Sequence, residues 1–285
     1  VPVTELELIR RLVPHLSARG GDLLIGPGED DAAAWREADG SITVATCDTS
    51  VEGVHFDLER QRPDAVGWRA LCFALGDLAA KGARPTYGLV SLSLPRRWDD
   101  RVAEHLYRGL AGLAAEVGLR LVGGDTTAAP TEGSLTLMLL GTTSVAPVPR
   151  SAARPGWPVG VTGPLGGASL DWARPRPRLA LGAELAAAGL CCGDISDGLL
   201  RELDKFAAAA GVGARLRLDA VPRAEGAGAL VALASGEEVE LVCTGPALPA
   251  GVHPVGELTA DGRVVVVDGD GREIDVEDRG HDHFA

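Results

Sequence analysis

The stretch APVPRSAARPGWP at residues 146–158 carries four prolines and no hydrophobic periodicity. Proline fixes φ and offers no N–H, so neither an α-helix nor a central strand runs through such a stretch, and it reads as a domain boundary. On its N-terminal side helical and strand patterns alternate. Thr4 with Glu7 forms a capping-box pattern ahead of LELIRRLVPHL, which Pro14 ends or kinks. ITVATC (42–47) is rich in β-branched residues and bounded by Asp39-Gly40 and Asp48, hence a strand. Residues 64–80 place Val66, Leu71, Leu75 and Leu78 at helical spacing, with Gly82 as the stop. YGLVSLSLP, LRLVGGD and SLTLMLLGTTSV read as strands, and residues 99–118 as a second long helix ended by Gly118. Beyond the break come a strand VGVTG, helices near 179–188 and 198–210, and strands near 214–218, 239–243 and 263–267. The interleaving predicts a mixed α/β (α+β) chain of two domains, 1–146 and 147–285.

Charge narrows the partners. The chain has 40 acidic and 27 basic residues, a formal net charge of −13, which argues against nucleic acid or an anionic membrane surface. Only Lys81 and Lys205 are lysines. An anionic substrate would therefore need something other than lysine to neutralise it. No run reaches the roughly 18–20 apolar residues of a membrane span, and VPVTELELIRR lacks the order of a signal peptide. The five cysteines include no CxxC, which points to reduced thiols in a cytoplasmic enzyme, with Cys191-Cys192 filling core.

The informative residues are carboxylates beside small residues at the ends of expected elements: Asp30-Asp31, Asp48, Asp77, Asp125, and Asp194 with Asp197. Each has a plain reading. Asp48 and Asp125 follow strands, where turn aspartates are common, and Asp194 or Ser196 would cap a helix starting near Asp197. Two details resist it. Asp77 falls in the last turn of its helix, where a negative charge opposes the helix dipole unless a cation is near. Gly123-Gly124 before Asp125 lets backbone approach a ligand closely. Carboxylates gathered from several element ends could not all stay ionised without a cation, and hard oxygen donors suit Mg²⁺ shared with substrate phosphates. Other chemistries lack support: there is no GxxxxGK[ST], no GxGxxG after a strand, no HExxH and no GxSxG. His281 and His283, flanking Asp282, read as a surface tail.

In sequence order, EDDAAAW, TCDTSVEGVHF, DLAAKGARP, LVGGDTT, RSAARPG, VTGPLGG, DISDGLLRELDKFAAAAGVGARL, SGEEVEL and RGHDHF run from residue 29 to residue 284. This set resembles the thiamine-monophosphate kinases, within the aminoimidazole-ribonucleotide-synthetase-like superfamily of ATP-using enzymes. The resemblance implies transfer of the γ-phosphoryl group of ATP to thiamine monophosphate, several Mg²⁺ ions between the two ligands, and a homodimer formed through N-terminal domains. It implies Asp31, Asp48, Asp77, Asp125, Asp194 and Asp197 as metal ligands, with Thr46 and Cys47 at hydroxyl-ligand positions. Gly124, Ser196, Arg150 and Tyr107 become ATP contacts, and His55, Glu237 and Phe284 contacts to the thiamine phosphate. The acceptor phosphate is already ionised at neutral pH, so positioning and charge neutralisation carry the catalysis. Asp125 and Arg150 are the residues expected to matter most for turnover, Arg150 as a planar phosphate clamp. Phe284 offers its face to a cationic thiazolium.

The chain departs from the family pattern at several places. Glu29 extends the acidic pair, and spacing to Asp48 favours Asp31 over Asp30 as the ligand. Cys47 stands in place of a usual threonine, Ala74 and Gly76 in place of polar residues, and SGEEVEL in place of GGEDYEL. Residues 168–178 form a short link. Two alternatives stay open: another ATP-dependent enzyme of the same superfamily, and a non-catalytic homologue that binds nucleotide or thiamine phosphate.

Overall fold

The Thr4 hydroxyl accepts a hydrogen bond from the Glu7 N–H at 3.4 Å and starts helix α1 (Glu5–Leu12), which passes into a 3₁₀ turn at Val13–His15 containing Pro14. The computed structural model describes residues 3–17, 20–168 and 174–284, so part of the link 168–178 lies outside the described residues. Six strands follow in the first half: β1 (Leu23–Ile25), β2 (Ala33–Arg36), β3 (Ile42–Val51), β4 (Arg84–Pro95), β5 (Arg120–Ala129) and β6 (Ser134–Thr143). They form one sheet in the order β1-β2-β3-β6-β4-β5, antiparallel except for the β4–β5 pair.

Strand alternation decides which face is covered. Ile42 and Val44 of β3, Leu135, Leu137 and Leu139 of β6, and Val90 and Leu92 of β4 are buried in one core with residues of helices α2 (Pro63–Ala80) and α3 (Asp100–Val117). Burying each leucine contributes roughly 1.5–3 kcal/mol, and a one-residue slip would expose the whole set, so the register is held firmly. The other face carries Cys47, Met138 and Leu89 side by side, all exposed, and no helix of the described residues covers it.

The second half builds a sheet from β7 (Pro158–Val161), β8 (Cys191–Asp194), β9 (Gly213–Arg217), β10 (Leu241–Thr244), β11 (His253–Thr259), β12 (Val264–Val267) and β13 (Glu273–Ile274). Its order is β13-β12-β9-β11-β7-β10-β8, with only β12–β9 parallel. Helices α4 (Leu179–Ala187), α5 (Leu199–Ala210) and the short α6 (Val231–Ala234) complete it. Leu199, Leu200, Leu203 and Phe206 of α5 enter this sheet's core, at the helical spacing that turns one face inward. A third, smaller cluster joins the halves: Ala79 and Ala80 of α2 pack with Leu185 of α4, Leu190, and Cys192 of β8. Thus α2 is buried over most of its circumference, and its C-terminal turn is carried to the end of β8.

The elements correct the sequence reading in several places. Asp48 and Asp125 do not follow strands but lie within β3 and β5, because both strands run on through polar residues that stay paired to β6 and β4. Helix α5 begins at Leu199 with Gly198 as N-cap and no side-chain capping bond, so neither Asp194 nor Ser196 caps it. Strands β1, β2, β8, β11 and β13 were not expected: they are short, or, as in HPVGELT, interrupted by proline and glycine. Among the described residues no helix is long and apolar enough to cross a membrane.

Candidate active site

Three aspartates from three elements converge where the sheets meet. Asp31 lies in the turn before β2, Asp77 in the last turn of α2 and Asp194 at the end of β8, and one carboxylate oxygen of each lies within 4.8 Å of the other two. Burial and then the nearby Asp31 push the Asp77 carboxyl well above the usual carboxylate range. Burial and then Asp77 do the same to Asp194. Burial would raise Asp31 as well, but Arg150, Lys205 and Lys81 outweigh it and hold that carboxyl low. One oxygen of Asp194, Oδ1, is buried without a hydrogen-bond partner. An orphaned carboxylate oxygen among like charges is what a hard cation would satisfy, and the all-oxygen donor set fits Mg²⁺.

Strand β3 supplies one wall. The Thr46 hydroxyl donates to Asp77 Oδ2, so Thr46 is buried against the group. Asp48, two residues on, shares that face; burial is the main cause of its raised carboxyl, with Asp197, His283 and Asp31 among its charged neighbours. Cys47 lies between them in sequence, and its side chain therefore takes the opposite, exposed face of the sheet.

Fixed cations hold the other side. Arg150 is only 4% exposed; its backbone N–H donates to Asp30 Oδ2 at 3.0 Å, and its guanidinium bonds Asp31 and, at 2.5 Å, Glu202 Oε2. In this structure the arginine expected to clamp a phosphate is committed to carboxylates. Asp30 is turned away from the aspartate group, paired with Lys81 at 2.5 Å, both side chains fully buried. Lys81 also donates to the Cys192 carbonyl at 2.6 Å, tying the turn before β2 to β8. Lys205 on α5 donates to Asp197 Oδ2 at 2.9 Å and lies 2.5 Å from Glu202 Oε1. Burial opposes its charge, but Glu202, Asp31 and Asp197 keep the ammonium protonated.

Past Ser50 of β3 lies a narrow crevice lined by His55, Phe56, Gln61, Arg69, Phe73 and Glu237, the last within reach of the Asp48 charge. His55 Nδ1 accepts the Val51 N–H at 3.1 Å, so the neutral ring carries its proton on Nε2. Glu237 bonds Arg69 and, unusually for a non-glycine residue, adopts φ +55°. Its N–H donates to the Ser196 carbonyl at 2.6 Å, which locks the SGEEVEL loop onto DISDG. The C-terminal tail crosses the same loop. The His281 N–H donates to the Asp197 carbonyl at 2.9 Å, and a Cβ on Gly280, with φ +109°, would stand 2.1 Å from that same oxygen. The tail is exposed, as expected, yet His283 sets its ring 5.3 Å from that of His55, and Phe284 follows it.

Three expected site residues stand apart. Gly124 and Asp125 lie on β5, the edge strand, separated from β3 by β4 and β6. At about 4.8 Å per strand the offset is roughly 14 Å. A Cβ on Gly124 would meet the Val90 carbonyl at 1.7 Å, so glycine is needed there for β4 to pair closely. Tyr107 lies on α3, 37% exposed. Sequence reasoning missed Lys205, Glu202, Lys81 and Arg69; the one available signal was that both lysines of the chain fall inside the matched motifs DLAAKGARP and DISDGLLRELDKF.

Comparison with known proteins agrees with this geometry. A family model, AIR synthase related protein, N-terminal domain, matches residues 29–145. The chain is 33% identical to a thiamine-monophosphate kinase of Rhodopirellula baltica over 78% of this chain and 76% of that protein. It is 30% identical to that of Salmonella typhimurium over 99% of this chain and 98% of the relative. A solved structure, AaThiL complexed with AMPPCP and TMP, superposes with a TM-score of 0.83 at 25% identity, covering 99% of this chain and 97% of the other. An aspartate group that calls for a cation, a histidine-lined crevice near it and curated relatives named thiamine-monophosphate kinase lead to one assignment: the chain belongs to the thiamine-monophosphate kinase family.

Proposed function

We propose that this chain transfers the γ-phosphoryl group of ATP directly to the phosphate of thiamine monophosphate, giving thiamine diphosphate and ADP. The observation that carries the reading is the convergence of Asp31, Asp77 and Asp194 within 4.8 Å, next to the crevice of His55 and Glu237. Asp31, Asp77 and Asp194 would hold Mg²⁺, with Thr46, Asp48 and Asp197 beside them and Cys47 contributing through its backbone carbonyl. When bound, Mg²⁺ supplies the charge neutralisation that lets two polyanions meet. The residues of the chain then do the rest. His55, kept neutral by burial and by His283 and His281, donates from Nε2 to the acceptor phosphate without taking its charge. The acceptor oxygen is ionised already, so no general base is required. Glu237, held by Arg69, and Phe284 on the tail bind the organic part of the substrate, the phenyl face suiting a cationic ring. Arg150 fixes Asp30 and Asp31 in place, and reaches ATP only by exchanging one of those partners. Ser196 contributes an ATP contact. The two domains share these roles, 1–146 binding metal and nucleotide and 147–285 completing the site with Asp194, Asp197, Arg150 and Ser196.

Gly124 and Asp125 act from a second copy of the chain. Asp125 registers with Ser91, Thr136 and Thr49 on the open face of the first sheet, beside exposed Leu89 and Met138. Covering that face with its symmetry mate buries the apolar row and moves β5 toward a neighbouring site, which supports a homodimer. Met138→Glu would then sediment as a monomer, and an unchanged dimer would refute that interface. Unpaired cysteines, four of the five buried, fit a cytoplasmic enzyme. The direct test is incubation with ATP, Mg²⁺ and thiamine monophosphate followed by chromatography. Thiamine diphosphate with ADP supports the kinase; ADP with inorganic phosphate, or binding without turnover, excludes it.

A further inference from the structure

We infer that Lys205 is a built-in cation of the aspartate site, holding by its ammonium group a place that a divalent ion would otherwise take. The inference rests on the metal-binding reading above and adds to it a residue to which the resemblance gives no role. Lys205 Nζ stands 2.9 Å from Asp197 Oδ2, 2.5 Å from Glu202 Oε1 and 3.9 Å from Asp31 Oδ1. Asp31 belongs to the group of converging oxygens, and Asp197 is an expected ligand whose Oδ2 the ammonium already occupies. The position is not a surface accident. Glu202 has a fully buried side chain and sits one helical turn before Lys205 on α5, so it anchors the amine from below while also pairing with Arg150.

Charge balance points the same way. Asp31, Asp48, Asp77, Asp194, Asp197 and Glu202 face Arg150 and Lys205 as fixed cations, while Lys81 is spent on Asp30. With every carboxylate ionised, as bound metal requires, four negative charges remain, enough for two divalent ions. Without Lys205 the same pocket would hold five, and Asp197 would be free to ligate. A divalent ion and an ammonium a few ångströms apart repel strongly at the modest effective dielectric of a part-buried site, so both do not occupy this corner together.

The test counts ions rather than turnover. Mn²⁺ binding to the full chain, without nucleotide, is measured from the loss of its free electron-spin-resonance signal. Lys205→Gln is expected to bind one more Mn²⁺ per chain than the parent, and Lys205→Arg, which keeps the charge, the parental number. The Mg²⁺ concentration giving half-maximal thermal stabilisation should also fall about tenfold or more in Lys205→Gln. Equal stoichiometry in the parent and Lys205→Gln overturns the inference while leaving the metal site standing. No Mn²⁺ bound by the parent overturns the metal reading itself. If Lys205→Gln unfolds without metal, recovery at saturating Mg²⁺ supports a replaceable cation, and failure to recover overturns it.

Discussion

Replacing Asp194 by asparagine is expected to make the metal-free protein more stable while depriving it of Mg²⁺. Asp31, Asp77 and Asp194 bring oxygens within 4.8 Å, and at an effective dielectric of about 20 each ionised pair at that distance costs about 3.5 kcal/mol. The asparagine removes two such pairs. Part of that repulsion is already relieved in the parent by proton uptake, since burial and the neighbouring carboxylates raise Asp77 and Asp194 well above the usual range. Each unit by which pH exceeds a raised pKa costs about 1.4 kcal/mol. The net gain at pH 8 in EDTA should therefore be about 2–4 kcal/mol, or about 5–10 °C in melting temperature for a chain of this size. The new amide has acceptors at hand in Asp31 and Asp77, so it adds no unpaired donor. The sign with pH follows: a carboxyl raised on folding binds a proton that the unfolded chain releases, so metal-free stability falls as pH rises from the unfolded value of 3.8 through the raised one. Thermal melts of parent and variant at pH 8, in EDTA and in saturating Mg²⁺, give four numbers. A variant no more stable than the parent in EDTA, or one that gains as much from Mg²⁺, would show that these three carboxylates do not form one electrostatic unit.

Asp125→Asn should lower turnover by about a hundredfold or more with little change in melting temperature, because the residue is exposed on an edge strand; near-normal rates would remove it from the site. His55 titrates below its ordinary 6.5 through burial, then His283 and His281, so the unfolded chain binds its proton first and stability drops as pH falls below 6.5. His55→Gln should lessen the drop in melting temperature between pH 7.5 and 5 relative to the parent; the same slope in both proteins would refute that account. A thiol reagent at pH 8 should find at most Cys47 in the native chain, since burial pushes Cys72 and Cys191 up to about 12 and the other two are also buried. Cys47 should become slower to react as protein concentration rises if the open face is a dimer interface. Counting five thiols in the native protein would contradict the core packing itself.

Much of the framework was legible in the chain alone. Hydrophobic period separated α3 and the strands β3, β4 and β6, because each buries one face and the period of that face is local information. The chain leaves the first sheet after Thr143 and enters the second at Pro158, with only a short 3₁₀ turn and an isolated bridge between them. Short strands such as β8, with four residues and no alternation, escaped notice; their partners lie far away in sequence, and pairing rather than propensity makes them strands.

The aspartates were visible as a set of motifs, but only the fold sorted them. Asp30 and Asp31 are neighbours in the turn before β2, yet one enters a buried pair with Lys81 and the other joins Asp77 and Asp194. Strand alternation in β3 turned Cys47 away from Thr46 and Asp48. Gly124 and Asp125, equally prominent in the sequence, ended three strands from β3 because strand order depends on long-range pairing that no local pattern encodes. Composition raised the question of what neutralises phosphate in a chain with two lysines. The tertiary structure showed where those lysines are, inside the acidic site rather than on the surface: only the folded state sets a buried charge against its partners, and only there does the low dielectric make that pairing decisive.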